Sequence, residues 1–159
     1  MLDRAANAAL MPLLQVCARG LVRAGVGADT VTYVGFGIGV AGAAAIAMQS
    51  YLIGLALLLA SRLADGLDGP VARLAQPTDR GAFLDICLDF LFYASIPLAF
   101  AIANPAANAL PAAVLLAAFI GTGSSFLDVA VLAQKRGIAS SDYPIKGLYY
   151  LGGLTEATE

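Results

Sequence analysis

Asp65-Gly66-Leu67-Asp68-Gly69-Pro70-Val71-Ala72-Arg73, followed after Leu74 to Arg80 by Gly81-Ala82-Phe83-Leu84-Asp85-Ile86-Cys87-Leu88-Asp89, sets four carboxylates in a chain otherwise oily enough for a lipid bilayer. Its fixed positions read D-x-x-D-G-x-x-A-R, seven residues, then G-x-x-x-D-x-x-x-D. Ionised carboxylates at such depth repel one another and lose hydration, so their charge needs compensation. A divalent cation supplies that most directly.

Outward from this stretch the chain is apolar. It has 159 residues, 60% hydrophobic and 13% charged, and no tryptophan, with a mean hydropathy of +0.81. A soluble domain carries roughly 25% charged residues, so this composition is that of a membrane protein. The uncharged runs Thr30 to Ser61 and Phe90 to Leu127 are each too long for one span of about 20 residues. Gln49-Ser50 breaks the first run, and Asn104 to Asn108 with Pro111 reads as a helix-stopping loop in the second. Four spans are therefore expected, near 30–49, 51–73, 82–103 and 110–133.

Basic residues orient these spans. Arg4, Arg19 and Arg23 precede the first, Arg73 and Arg80 separate the second and third, and Lys135, Arg136 and Lys146 follow the fourth. The turns at 49–50 and 104–110 have none, so the positive-inside rule puts the amino terminus and the acidic stretch on the cytoplasmic side. Arg62 alone remains inside a span, where it balances local charge.

Residues 1–25 carry Asp3, Arg4 and Arg19 and do not form a signal peptide. Leu10, Leu14, Cys17 and Leu21 recur at helical spacing, with Gln15, Arg19 and Arg23 on another side. This pattern predicts a helix in the membrane surface, with packing against the rest of the protein as the alternative. Gly25, Gly27 and Asp29-Thr30 then read as a helix stop and the cap of the first span.

Histidine is absent, and Cys17 and Cys87 lie far apart, which removes zinc sites and Ser-His or Cys-His nucleophilic pairs. Any general base is a carboxylate or a substrate group. On a helix Asp65, Asp68, Gly69, Ala72 and Arg73 share a face within about 140° of arc at 100° per residue. Gly81, Asp85 and Asp89 form a stripe on the next span. The short loop between them predicts antiparallel neighbours whose acidic stripes face each other near the cytoplasmic surface. Oxygen ligands alone suit Mg²⁺ or Mn²⁺, and four carboxylates suffice for two ions, an arrangement used in phosphoryl transfer. Gly69 and Ala72 offer bare surface to a nucleotide or sugar, and Arg73 can pair with phosphate. Pro70, with Gly66 and Gly69, is expected to bend or loosen the second span.

The eight fixed positions resemble the CDP-alcohol phosphotransferase (CDP-alcohol phosphatidyltransferase) family of integral membrane enzymes and match its motif throughout. Gly25 to Thr32 also looks like the family's segment before the first span, with Ala28-Asp29 where Pro-Asn is more usual. The resemblance implies transfer of a phospho-alcohol from a CDP-linked donor, usually CDP-diacylglycerol, to a small alcohol, releasing CMP in phospholipid synthesis. By it Asp65, Asp68 and Asp85 are metal ligands, and Asp89 is both a ligand near a second metal and the base for the acceptor hydroxyl. Gly69, Ala72, Arg73 and Gly81 would line the CDP pocket.

The expected fold is an all-α polytopic transmembrane bundle. An interfacial helix over 1–25 precedes a phosphotransferase domain over 26–159 with four spans, where the family usually has six. The segment Leu151 to Glu159 reads as the approach to a fifth span, so the last two helices are expected to be lacking. A truncated or inactive relative that keeps the metal or nucleotide site is the alternative to an enzyme. Divalent-ion transport fits less well, because no second acidic layer continues across the bilayer.

Further expectations concern surroundings and partners. Gly35, Gly39, Ala43 and the offset Gly37 and Ala41 form small-residue ridges that seat neighbouring helices or, alternatively, a second subunit of a homodimer. Asp128 is read as structural, pairing with Lys135 or reaching the surface. Ser124 and Ser125 are either pocket or packing residues, and Lys135, Arg136 and Lys146 attract an anionic acceptor or lipid headgroup or simply set topology. Membrane lipid is a partner and nucleic acid is not. The expected location is the inner (cytoplasmic) membrane.

Overall fold

A computed structural model describes residues 2–136, and all of its regular structure is helical. The order is α1 (Leu2–Arg23), α2 (Ala28–Ala47), α3 (Tyr51–Ala75), α4 (Asp79–Ala103) and α5 (Pro105–Lys135). The helices α2, α4 and residues Pro105–Leu132 of α5 are long and apolar enough to cross a membrane. The second expected span, α3, has 25 residues but carries Arg62, Asp65, Asp68 and Arg73, which dilute its apolar character. Lys146 and the segment 151–159 lie outside the described residues.

Sequence punctuation ends most of these helices. Gly25 closes α1 at φ 77, with Val26 N–H donating to the Leu21 carbonyl at 2.9 Å and Gly25 N–H to that of Val22 at 3.0 Å. This left-handed cap is the expected glycine stop. The N-cap of α2 is Gly27, so Asp29 and Thr30 fall within the first helical turn instead of capping it. Gln49 closes α2 at φ 64, and its Nε2 donates to the Ala103 carbonyl at 2.9 Å. That bond brings the α2–α3 turn and the end of α4 to one end of the bundle.

One local expectation is corrected. Residues 104–110 do not form a loop: Asn104 alone breaks the chain, and its Oδ1 accepts from Ala107 N–H at 3.2 Å, capping α5. Pro105 sits at the first helical position, where its missing N–H is harmless, and Pro111 lies inside α5. α3 is helical through Pro70 to Ala75.

The core is centred on α2, which packs on both α3 and α4; α1 packs on α3 and α5 on α4. Both α3 and α4 pack on α2, and, as the short loop predicts, the two acidic helices also meet each other, through side chains: Arg62 of α3 reaches Asp89 and Tyr93 of α4 and rests on its Phe92 ring. Small residues on α2 draw the backbones together. A Cβ on Gly39 would lie 2.5 Å from the Phe92 ring of α4 and 2.8 Å from Ser61 Oγ of α3. The Gly54 Cβ position is 2.6 Å from Ile46 Cγ1, and that of Gly42 is 3.2 Å from the Gly54 carbonyl. Ser61, fully buried, donates to the Gly35 carbonyl at 2.8 Å. Thus Gly35, Gly39 and Ala43 seat helices within the subunit, whereas Gly37 and Ala41 are exposed.

A second cluster, Ala18, Val31 and Val71 with Leu21, Val22 and Leu67, docks α1 against α3 and the start of α2. The expected face is rotated slightly: Ala18 is buried, and Cys17 is exposed beside Leu13 and Val16.

Candidate functional site

Asp65 and Asp68 come from the second half of α3, Asp85 and Asp89 from the first half of α4, and Thr32 and Gly35 from the first half of α2. Both acidic helices pack on α2, and their carboxylates converge on one another beside it. One oxygen from each of Asp65, Asp68 and Asp85 can be chosen so that all lie within 4.8 Å of one another. Asp68 is the most enclosed of the three, at 9% exposure. Such an all-oxygen set, with neither nitrogen nor sulfur, fits Mg²⁺ or Mn²⁺.

Asp89 stands beside this group and contacts Arg62. A single guanidinium nitrogen, Nη1, lies 3.2 Å from Asp89 Oδ1 and 3.3 Å from Asp65 Oδ2. It also reaches the Tyr93 hydroxyl at 3.4 Å. The Arg62 guanidinium rests over the Phe92 ring, 4.0 Å from its centroid. Arg62 therefore balances local charge, as expected, and ties the two acidic helices together. A small cavity bordered by Thr32, Arg62, Asp65, Asp85, Asp89 and Phe92 opens at this place.

Thr32 had no assigned role in the sequence. Its Oγ1 lies 2.9 Å from Asp68 Oδ2 and 3.1 Å from the Ala28 carbonyl. A hydroxyl has one hydrogen, so the two acceptors share it. The readable signal was a polar β-branched residue one turn into an apolar span, close to the depth of the aspartates.

The expected nucleotide-binding residues are less closely grouped. Gly69 lies beside Arg73, whose Nη1 is 3.4 Å from where a Cβ on Gly69 would sit. Arg73 is exposed and lines a groove between α1 and α3 with Gln15, Arg19, Pro70 and Leu74. Ala72 is half-buried. Gly81 lies in the first turn of α4; its N–H donates to Thr78 Oγ1 at 3.0 Å, and a Cβ there would be 3.2 Å from Asp29 Oδ1. Arg80 Nε approaches Asp29 Oδ2 at 3.6 Å, which joins the first turns of α2 and α4. On α5, Ser124 and Asp128 are exposed, and Ser125 donates to the Gly121 carbonyl of its own helix at 2.8 Å.

The chain is 52% identical over 159 residues to the Inner membrane protein YnjF of Escherichia coli (strain K12), covering 100% of this chain and 77% of that protein. Over 65 residues it is 48% identical to the Archaetidylinositol phosphate synthase of Methanothermobacter thermautotrophicus, a stretch that is 40% of this chain and 33% of the synthase. No solved structure gives a significant match. Residues 26–149 match the CDP-alcohol phosphatidyltransferase family, and they contain every one of the converging aspartates. The chain therefore belongs to the CDP-alcohol phosphatidyltransferase family.

Proposed function

We propose that this protein transfers the phosphatidyl group of CDP-diacylglycerol to the hydroxyl of a small alcohol, with release of CMP, in phospholipid synthesis. The observation that carries the reading is the convergence of Asp65, Asp68 and Asp85 within 4.8 Å, inside the family's eight-position motif. The acceptor belongs to the class of glycerol phosphate, inositol phosphate or serine. Similarity to a synthase of archaetidylinositol phosphate supports a phosphorylated polyol.

Asp65, Asp68 and Asp85 hold a divalent ion, Mg²⁺ or Mn²⁺, and Asp89 adds a ligand for a second. Bound there, such ions neutralise charge on the phosphoryl oxygens and on the leaving phosphate. Asp89, at the edge of the cavity, accepts the proton of the acceptor hydroxyl. The acceptor oxygen then bonds to the phosphorus that carries diacylglycerol, the phosphoanhydride bond to CMP breaks, and CMP leaves with that bond's electron pair. Gly69, Ala72 and Gly81 let the nucleotide approach the backbone, and the Arg73 fork binds phosphate.

The protein works in the inner membrane as a homodimer, with the site facing the cytoplasm. Arg19, Arg23, Arg73, Arg80, Lys135 and Arg136 support that orientation. The domain begins near residue 26, and α1 lies in the membrane surface, a role supported by exposed Leu13 and Val16 opposite buried Ala18. The test is CMP release from CDP-diacylglycerol by purified protein in lipid nanodiscs, with Mn²⁺ or Mg²⁺ and each acceptor in turn. Release that stops on chelation is the expected result. No release with any acceptor, from folded and metal-replete protein, would overturn the proposal.

A further inference from the structure

Arg62 is held in an unusual way for a half-buried counterion. All of its polar contacts to the acids run through Nη1, at 3.2 and 3.3 Å, with the Tyr93 hydroxyl at 3.4 Å. Nη1 has two hydrogens for these three oxygens, so the bonds are long and shared rather than the paired fork that makes arginine a strong partner. Its Nε is buried with no hydrogen-bond partner. An orphaned buried donor raises the free energy of that seat. Meanwhile the flat face of the guanidinium rests on Phe92, a surface along which it can slide without breaking a directional bond.

Asp65 and Asp89 thus share one monovalent cation, loosely bonded, at the position between α3 and α4 where both carboxylates can be reached at once. Asp65 also belongs to the three-carboxylate group, whose other members, Asp68 and Asp85, are reached by none of the Arg62 bonds described above. We infer that Arg62 is a displaceable resident cation: it competes with a second divalent ion for Asp89 and Asp65, and so makes the two ions bind unequally. Arg62 is a positioning residue, acting through Asp89. The inference rests on the metal reading of the aspartates given above.

The ion bound by Asp65, Asp68 and Asp85 goes on first. The second binds only as Arg62 slides off Asp89 along the Phe92 face. Removing the guanidinium frees Asp89 for the ion but deprives the acids of their counter-charge when no divalent ion is present. These two consequences have opposite signs, which separates a displaceable cation from a merely structural one.

The test is Mn²⁺ titration of the nanodisc-embedded protein, followed by electron paramagnetic resonance of free and bound Mn²⁺, for wild type and Arg62→Gln. Wild type should show two classes of site. In Arg62→Gln the weaker class should tighten by about tenfold while the tighter is little changed, the lower end of what neighbours of a metal centre do to affinity. Thermal unfolding supplies a second measurement: Arg62→Gln should melt lower than wild type in chelator and gain more from Mn²⁺. Equal affinities in wild type, an unchanged or weaker second class in the variant, or a melting loss equal with and without Mn²⁺ would each overturn the inference. Absence of Mn²⁺ binding in both proteins would instead overturn the metal reading beneath it.

Discussion

The two halves of α3 solve opposite problems. From Tyr51 to Ala60 the helix meets α2 through Gly54 and Gly42, close enough that added carbon would collide with Ile46 or with backbone. From Ser61 to Ala75 it carries two arginines and two aspartates, and charge and hydrogen bonds join the apolar packing of Leu67 and Val71. In a bilayer, where lipid tails compete with apolar side chains on equal terms, dispersion at close range and buried hydrogen bonds are what remain to hold helices together. The first half uses the former. The second half adds charge and hydrogen bonds to its packing, burying Ser61, Asp68 and Val71 while it holds the acids convergent.

If that division is right, substitutions should separate activity from stability along one helix pair. The largest effect is expected at Asp89→Asn, where loss of the proposed base should cut CMP release by about 10²–10⁴-fold. Its melting temperature should stay near that of wild type, and a collapse of the fold would blur the division. Next comes Gly39→Val, whose added carbons meet Phe92 and Ser61: destabilisation of about 2–3 kcal/mol is expected from unfolding in mixed micelles. Gly37→Ala, with open space around it, should stay within about 0.5 kcal/mol. Equal losses at the two positions would contradict the packing assigned to α2.

Ser61→Ala, on the boundary between the halves, should cost about 0.6–1 kcal/mol for one lost interhelical hydrogen bond. The smallest contrast is at the far turn. Gln49 adopts φ 64, a region that favours glycine, while its side chain bonds Ala103. Gln49→Ala should lose about 1 kcal/mol with that bond. In Gln49→Gly the backbone relief offsets the same loss, for a net change within about 0.5 kcal/mol.

What could be read in advance follows from what is local. The glycine stop at Gly25, the turn at Gln49 and the long apolar runs are properties of a few adjacent residues, and they appear where the sequence puts them. The convergence of Asp65, Asp68 and Asp85 was legible because helical periodicity turns spacing into a shared face. Three features were not. Asn104 followed by Pro105 reads equally as loop or as a capped helix start, and only the bond to Ala107 decides. The packing of both acidic helices on α2 depends on how small-residue ridges of separate segments interlock, which the length of a connecting loop does not encode. The roles of Thr32 and of Arg62 as a bridge follow from that packing, because each reaches an acid on another helix.

The single hydrogen of Thr32 Oγ1, poised between Asp68 and the Ala28 carbonyl, acts like a hinge pin with two stops. When Asp68 turns its oxygen elsewhere, the hydroxyl rotates about one bond and completes a local clasp on the first turn of α2. Neither position strands a donor in oil. The acid at the centre of the site can therefore change partners while the Thr32 hydroxyl keeps an acceptor in the Ala28 carbonyl.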